Sequence, residues 1–189
     1  MHNLNPTLWR TCKMLAGHTR IRLLRALLVH PGEGVSALGK RAGIGESAAS
    51  QELRRIQSRG LLQAERSGIY LVYRMAADPQ VPSAAPLVKA IQSALSSLPP
   101  ERDLEMASIA AGLSHERRIQ IIRTLLEGPR PAAEIQTALR ISDHPFHAHM
   151  TTLLASSFAT RCREGLQFCV PDHPLAKALA KLLRQGAAR

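Results

Sequence analysis

The chain repeats its own apolar pattern at a spacing of 97 to 98 residues, which constrains the fold more than any other feature. After one deleted residue near Gly128, the apolar positions and one glycine of the second half align with those of the first. The matched pairs are Arg20 with Arg118, Ile21 with Ile119, Leu24 with Ile122, Leu27 with Leu125, Ile44 with Ile141, Leu53 with Met150, Ile56 with Leu153, Gly68 with Gly165 and Leu71 with Phe168. Overall identity between the two halves is low, but a single gap suffices over the whole length. The sequence therefore predicts an internal duplication, with units at residues 1–98 and 101–189.

Residues 42–56 have the pattern of the turn and second helix of a helix-turn-helix. Gly43 and Gly45 flank a single apolar residue, Ile44, which predicts a tight break in the chain. Apolar residues then recur at spacings of four and three and give one narrow buried stripe, formed by Ala49, Leu53 and Ile56. We expect this helix to end near Gly60.

The opposite face of the same helix carries short hydroxyls, a small residue, an amide and long cations. These residues are Ser47, Ala48, Ser50, Gln51, Arg54 and Arg55. Such side chains contact base edges and phosphates in a DNA major groove, and a small residue allows close approach. The alternative is the ordinary solvated face of a surface helix. Only Glu46 and Glu52 offset the arginines, whereas a solvated helix usually mixes charges in i,i+4 pairs, so the composition favours DNA recognition.

The charge of the chain supports a polyanionic partner, either nucleic acid or an anionic membrane surface. The formal net charge is +11, and residues 1–100 carry thirteen Lys and Arg against five Asp and Glu. Residues 101–189 carry twelve against nine, so the first half is the better electrostatic candidate. Aromatic residues make up only 3% of the chain, which argues against a stacking platform for single-stranded nucleic acid.

Other sequence features restrict the class of protein. Three cysteines do not imply a disulfide framework, and no apolar run has the length of a membrane span. The N-terminal residues lack the basic and apolar regions of a secretory signal, so we expect a cytoplasmic protein. The sequence contains no phosphate-binding glycine loop, no nucleophile elbow and no His-Glu-x-x-His motif, and we therefore expect no enzymatic activity and no cofactor.

The first half places further elements around the helix-turn-helix. The pattern predicts helices over residues 8–15, 19–29, 36–42 and 87–98, with a linker over residues 76–86. Two runs typical of β-strands, residues 61–66 and 69–74, flank Ser67 and Gly68 and predict a hairpin. Arg66 and Arg74 would suit a wing that lies along a phosphate backbone. The alternative, that they only solubilise the hairpin, is more plausible for Arg74 than for Arg66.

This order of elements, together with particular residues, resembles the ArsR family of small winged-helix repressors over about 80 residues. The likeness is carried by residues 19–24, 35–38, 43–44, 47–54 and 60–62, and by the wing from Gly68 to Tyr73-Arg74. It implies a winged helix-turn-helix fold, binding to double-stranded DNA and a repressor function. ArsR-type proteins often bind metal through a Cys pair in the third helix or a His/Asp/Glu set on the last. Residues 34–39 contain no thiol, and residues 87–98 contain no His, Asp, Glu or Cys, so we expect no metal site in the first unit.

The second unit departs from the first where DNA contact is expected. Thr151 and Thr152 stand in place of the two arginines, and Ala148 stands in place of Gln51. We expect Phe146 to be exposed at the start of the helix, where it would suit contact with protein better than contact with bases. The sequence therefore predicts a poor DNA reader with a role in pairing or in binding an effector, whose identity stays open.

The second unit contains scattered histidines and cysteines, the residue types that bind metals or react as thiols. His144 and His147 share a helix face, while Cys162, Cys169 and His173 lie on or after the wing, without the compact spacing of a zinc site. We therefore assign no metal site. Cys162 and Cys169 flank a predicted turn at Glu164-Gly165 as diagonal neighbours, which leaves a redox pair open, although two half-buried thiols are favoured. Cys12 is expected in the core, and the acidic cluster of Glu101, Asp103 and Glu105 is explained by a helix dipole.

The sequence thus predicts a mainly α fold with small β-hairpins, built as two tandem winged helix-turn-helix units. We expect a sequence-specific DNA-binding transcriptional regulator, a repressor in which the two units pair within one chain and which can also form a homodimer. The helices expected to pair lie at residues 8–15, 87–98, 104–112 and 175–183. The alternative is a tandem winged-helix scaffold for protein assembly that does not read bases. The high positive charge of the first half favours the DNA-binding hypothesis.

Overall fold

A computed structural model of the chain describes residues 7–68 and 70–187. This part is mainly helical and contains two small antiparallel two-stranded hairpins, as the sequence predicts. The helices are α1 Leu8–Leu15, α2 His18–Val29, α3 Val35–Arg41, α4 Glu46–Gln57, α5 Ala84–Ser97, α6 Asp103–Gly112, α7 Glu116–Leu126, α8 Ala132–Leu139, α9 Asp143–Ala155 and α10 Pro174–Ala187. The strands are β1 Gln63–Ser67, β2 Tyr70–Arg74, β3 Ala159–Cys162 and β4 Gly165–Phe168. Ile69, predicted to begin the second strand, and the ends of the predicted units at residues 1–6 and 188–189 lie outside the described residues.

The contacts divide the chain into two compact units. Of the described residues, unit 1 comprises Thr7 and residues 17–107, and unit 2 comprises residues 8–16 and 108–187. This division differs from the sequence boundaries, because α1 belongs to unit 2 and residues 101–107 belong to unit 1. The apolar periodicity of α1 requires a buried face, and Cys12 and Leu15 are indeed fully buried. Periodicity cannot, however, specify which part of the chain covers that face.

The two units share an order of elements. Unit 1 runs α2, α3, α4, β1, β2, α5, and unit 2 runs α7, α8, α9, β3, β4, α10. In unit 1, α2 contacts α3, α4, α5 and β2, and in unit 2, α7 contacts α8, α9, α10 and β4. Each hairpin gains a single bridge to a third segment, from Gly34 to Val72 in unit 1 and from Arg130 to Leu166 in unit 2.

The connection between α3 and α4 has the tight geometry that the glycines predict. Gly43 has φ +69°, and the Ile44 amide donates to the Gly39 carbonyl at 2.9 Å. A Cβ atom at Gly39 would lie only 3.0 Å from the Ala49 Cβ atom, so a glycine there allows α3 and α4 to approach closely. The corresponding connection in unit 2 has Arg140 at φ 50°, with the Ile141 amide donating to Gln136 at 3.1 Å.

The hairpins and the following helices refine the predicted boundaries. Strand β1 pairs with β2 from Gln63 opposite Arg74 to Ser67 opposite Tyr70. Leu61 and Leu62, predicted within the first strand, instead lie before it and are buried. The predicted linker also ends earlier, because α5 begins at Ala84 and holds Pro86 in its first turn, where a proline removes no helical hydrogen bond.

An ion pair within unit 1 corrects the interpretation of the acidic cluster. Asp103 is buried and its carboxylate accepts from Arg25 of α2 at 2.6 Å, so it does more than stabilise a helix dipole. Separately, no helix in the described part of the chain combines the length and apolar character needed to cross a membrane.

Candidate nucleic-acid interface

Helix α4 has one buried face and one exposed face, as the sequence pattern predicts. Its stripe of Ala49, Leu53 and Ile56 is fully buried. The predicted contact residues lie on the opposite face: Ser47, Ala48, Gln51, Arg54 and Arg55 are exposed, and Ser50 is half-buried. The helix therefore presents hydroxyl, amide and guanidinium groups together on one surface.

The two arginines of α4 have different surroundings. The Glu52 carboxylate forms ion pairs with Arg55, one turn along the helix, and with Arg20 of α2. In the part of the chain that the structure describes, no side chain forms an ion pair or hydrogen bond with Arg54. The Arg54 guanidinium is therefore free of partners among the described residues, whereas the charge of the exposed Arg55 is partly offset by Glu52.

The two arginines of the unit 1 hairpin also have different surroundings. Arg74 is paired with the Glu65 carboxylate at 2.7 Å, and its guanidinium also donates to Gln63 at 3.1 Å. Arg66 on β1 is exposed, and no described residue forms an ion pair or hydrogen bond with its side chain. The hairpin and α4 are separate elements, and no described contact joins the Arg66 side chain to the exposed face of α4.

Two further residues extend the candidate interface beyond the sequence prediction. The Arg22 guanidinium lies beside the turn, with Nη1 3.6 Å from the position that a Cβ atom of Gly43 would occupy. Tyr70, which pairs with Ser67 next to the hairpin turn, is 66% exposed. The sequence pattern places Tyr70 in a strand, but it does not reveal that α2 places a cation beside the turn.

Helix α9 of unit 2 offers a different surface. It contains no Lys or Arg, and its two threonine hydroxyls donate to main-chain oxygens one turn back, from Thr151 to His147 at 2.9 Å and from Thr152 to Ala148 at 3.2 Å. The expectation that Phe146 is exposed was wrong, because its side chain is buried. One turn of helix separates Phe146 from Met150, which brings both onto the buried side of α9.

The thiols of unit 2 do not lie side by side. Strand β3 pairs with β4 from Ala159 opposite Phe168 to Cys162 opposite Gly165, so the turn consists of Arg163 and Glu164. Cys162 therefore lies at the turn, whereas the Cys169 amide donates to Phe158 at the open end of the hairpin. The predicted diagonal contact between Cys162 and Cys169 was wrong because the turn lies one residue earlier than the glycine suggested.

The histidines of unit 2 are dispersed over several surfaces. His144 and His147 are exposed on α9, and buried His173 precedes α10, where its Nδ1 accepts from the Leu175 amide at 3.1 Å. The rings of His149 and His115 lie 4.6 Å apart between centroids. Across the described residues, no three His, Cys, Asp or Glu side chains form a group that could hold a metal ion.

Burial lowers the pKa of both members of the His115 and His149 pair below the ordinary value of 6.5. The nearby Arg118 charge lowers the pKa of His115 further, and the charge of His115 lowers that of His149. The Nδ1 atom of His115 also accepts from the Arg117 amide at 3.0 Å, which caps α7 and requires an unprotonated nitrogen.

Comparison with known proteins provides no relative. No family model, curated protein or solved structure matched the chain. Function must therefore be inferred from the residues and their arrangement.

Proposed function

We propose that this protein is a sequence-specific double-stranded DNA-binding transcriptional regulator of the ArsR type, acting as a repressor. Its two units are tandem winged helix-turn-helix domains, and α4 of unit 1 is the helix that enters the major groove. The exposed face of α4, with Arg54 unpaired among the described residues, carries the proposal. The net charge of +11 supports it, because each phosphate neutralised by a cation contributes to binding.

The contacts can be assigned by class. Ser47, Ala48, Ser50, Gln51 and Arg54 approach base edges, since the first turns of a recognition helix lie deepest in the groove. Arg55 and Arg66 contact the phosphate backbone, which fixes orientation without carrying sequence information.

Unit 2 takes a pairing or effector role in this proposal. Its α9 helix has no Lys or Arg, and its threonine hydroxyls are engaged with the main chain. A single-chain pseudo-dimer of the two units is part of this proposal. Because only one helix per chain suits base contact, a full operator then requires two chains, each on a half-site about one helical turn apart.

The second candidate function is a tandem winged-helix scaffold that assembles proteins without reading bases. The absence of cations from α9 favours this function for unit 2. The excess of thirteen cations over five anions in residues 1–100 favours DNA binding for the chain as a whole, because a scaffold does not require it.

Binding of a labelled random-sequence duplex at increasing KCl concentration tests the proposal. Arg55→Ala and Arg66→Ala, which remove the two proposed phosphate contacts, should each weaken binding and reduce the slope of log K against log salt by about 0.9. The matched controls are Thr152→Ala and Arg163→Ala, which occupy the equivalent positions of unit 2 in the 97-residue register. Equal effects in both units, or no salt-dependent binding by the parent chain, would favour the scaffold.

A further inference from the structure

Unit 2 contains a cavity of about 350 Å³ that the proposed DNA contacts do not use. It lies among α8, α9 and the hairpin of β3 and β4. Small-molecule sites in proteins commonly have volumes of roughly 300–1,000 Å³, so this cavity is at the small end of that range.

The lining of the cavity is largely apolar. Phe146 and Met150 of α9 and Leu166 of β4 are buried, with exposed fractions of 6%, 6% and 5%, and half-buried Leu154 continues the same wall. An aromatic ring, a thioether and two branched chains form a surface that suits a compact apolar group.

Two opposite charges also line the cavity, on different elements. Arg161 of β3 is exposed, and in the described part of the chain no side chain pairs with its guanidinium. Asp143, the first residue of α9, accepts from Gln136 of α8 through Oδ1 at 2.7 Å, while Oδ2 accepts no hydrogen bond from the described residues. Arg161 and Asp143 do not form an ion pair with each other. His147, exposed on α9, is the remaining titratable lining residue.

We propose that this cavity binds a small zwitterion with an apolar body, the chemistry of an apolar α-amino acid. The Arg161 guanidinium binds the carboxylate through charge-assisted hydrogen bonds, and the Asp143 carboxylate accepts from the ammonium group. The apolar side chain of the ligand packs on Phe146, Met150 and Leu166. A simple carboxylic acid would leave Asp143 opposing its charge, and a simple amine would leave Arg161 without a partner.

The ligand site is independent of the proposed function, because its residues lie in unit 2 and its assay contains no DNA. Calorimetric titration of the full chain with three probes tests it: L-phenylalanine, 3-phenylpropanoate and phenethylamine. We expect L-phenylalanine to bind more tightly than either analogue. Failure of L-phenylalanine to bind at millimolar concentration, or equal binding of all three probes, would overturn the proposal.

Single substitutions then assign the two charges. Arg161→Ala should weaken L-phenylalanine binding about tenfold or more and leave phenethylamine unaffected, since only the carboxylate loses its charge-assisted hydrogen bonds. Asp143→Asn should remove the preference for L-phenylalanine over 3-phenylpropanoate.

The matched control is Arg163→Ala, an exposed hairpin arginine that does not line the cavity. An equal loss of binding in Arg163→Ala would show a general charge effect and would contradict the site. Asp143→Asn could also disturb the start of α9, which a lower melting temperature would reveal. In that case the comparison of Arg161→Ala with Arg163→Ala still tests the ligand site.

Discussion

Arg25 Nη2 lies 2.6 Å from Asp103 Oδ1, and the same guanidinium donates to the main-chain oxygens of Leu95 and Leu98 at 2.9 and 3.1 Å. One side chain of α2 thereby binds the end of α5 and the start of α6 within unit 1. The side chains of Arg25 and Asp103 are only 17% and 5% exposed, so the ion pair is shielded from solvent.

Asp103→Ala should lower the free energy of unfolding by about 3 kcal/mol, because it leaves the half-buried Arg25 charge without its carboxylate partner. Urea denaturation of the full chain measures the effect. The control is Glu105→Ala, which removes an exposed ion pair with Arg102 and should change the free energy of unfolding by less than about 1 kcal/mol. Equal decreases in the free energy of unfolding would show that the ion pair between Arg25 and Asp103 stabilises the fold no more than an exposed pair does.

Glu52→Gln should strengthen binding to DNA of any sequence. The substitution removes a negative charge from α4 and releases Arg55, which the carboxylate now binds. The affinity for a random-sequence duplex should rise several-fold, because Glu52 no longer competes with the phosphate that Arg55 contacts.

The control for the Glu52 substitution is Glu134→Gln, which removes one of the two carboxylates that pair with Arg130 in unit 2. It should leave DNA affinity unchanged. Weaker binding by Glu52→Gln would show that Glu52 holds Arg20 and Arg55 in position for DNA and does not compete with DNA phosphates for them.

The stability of the protein should fall as the pH falls through 6.5, the ordinary pKa of histidine. His115 and His149 have lowered pKa values in the folded chain, with burial as the main cause, so the unfolded chain takes up protons first. Lys13, Arg117 and Arg118 add unfavourable charge around the pair, and Glu116 partly offsets it.

Urea denaturation between about pH 8 and pH 5.5 measures this dependence. Replacing His115 and His149 together by Gln should flatten it, whereas replacing exposed His147 should not. A pH dependence unchanged by the double substitution would place its origin elsewhere.

The three cysteines should differ in reactivity. Burial raises the pKa of the Cys12 thiol to about 12, so at pH 8 it is both protonated and inaccessible. A chromogenic disulfide reagent should titrate Cys162 and Cys169 in the native protein, and Cys12 only after unfolding. Reaction of all three at one rate would contradict the burial of α1, and rapid formation of a Cys162–Cys169 disulfide would contradict the register of β3 and β4.

The sequence predicted the elements that depend on local patterns. The stripe of Ala49, Leu53 and Ile56 and the break at Gly43 follow from helical periodicity and from a positive φ, and the structure contains both. The exposed face of α4 could also be predicted, since the buried stripe determines which residues lie on the opposite side of the helix.

Features that depend on distant contacts were missed. The burial of Phe146 and the pairing of Asp103 with Arg25 require knowledge of which elements pack together. The separation of Cys162 from Cys169 depends on a hairpin register that a single glycine could not determine. The pairing of Arg55 is instead a local feature, because Glu52 precedes Arg55 by three residues and Arg54 by only two.

Selection of bound duplexes from a random-sequence pool tests the central claim most directly, because it separates base reading from charge attraction. We predict that the full chain enriches a defined motif, that Thr151→Ala enriches the same motif, and that Arg54→Ala loses preference at one or more positions by about 1–3 kcal/mol. No enrichment by the parent chain, or a motif changed by Thr151→Ala and unaffected by Arg54→Ala, would contradict the assignment of α4 as the reading helix.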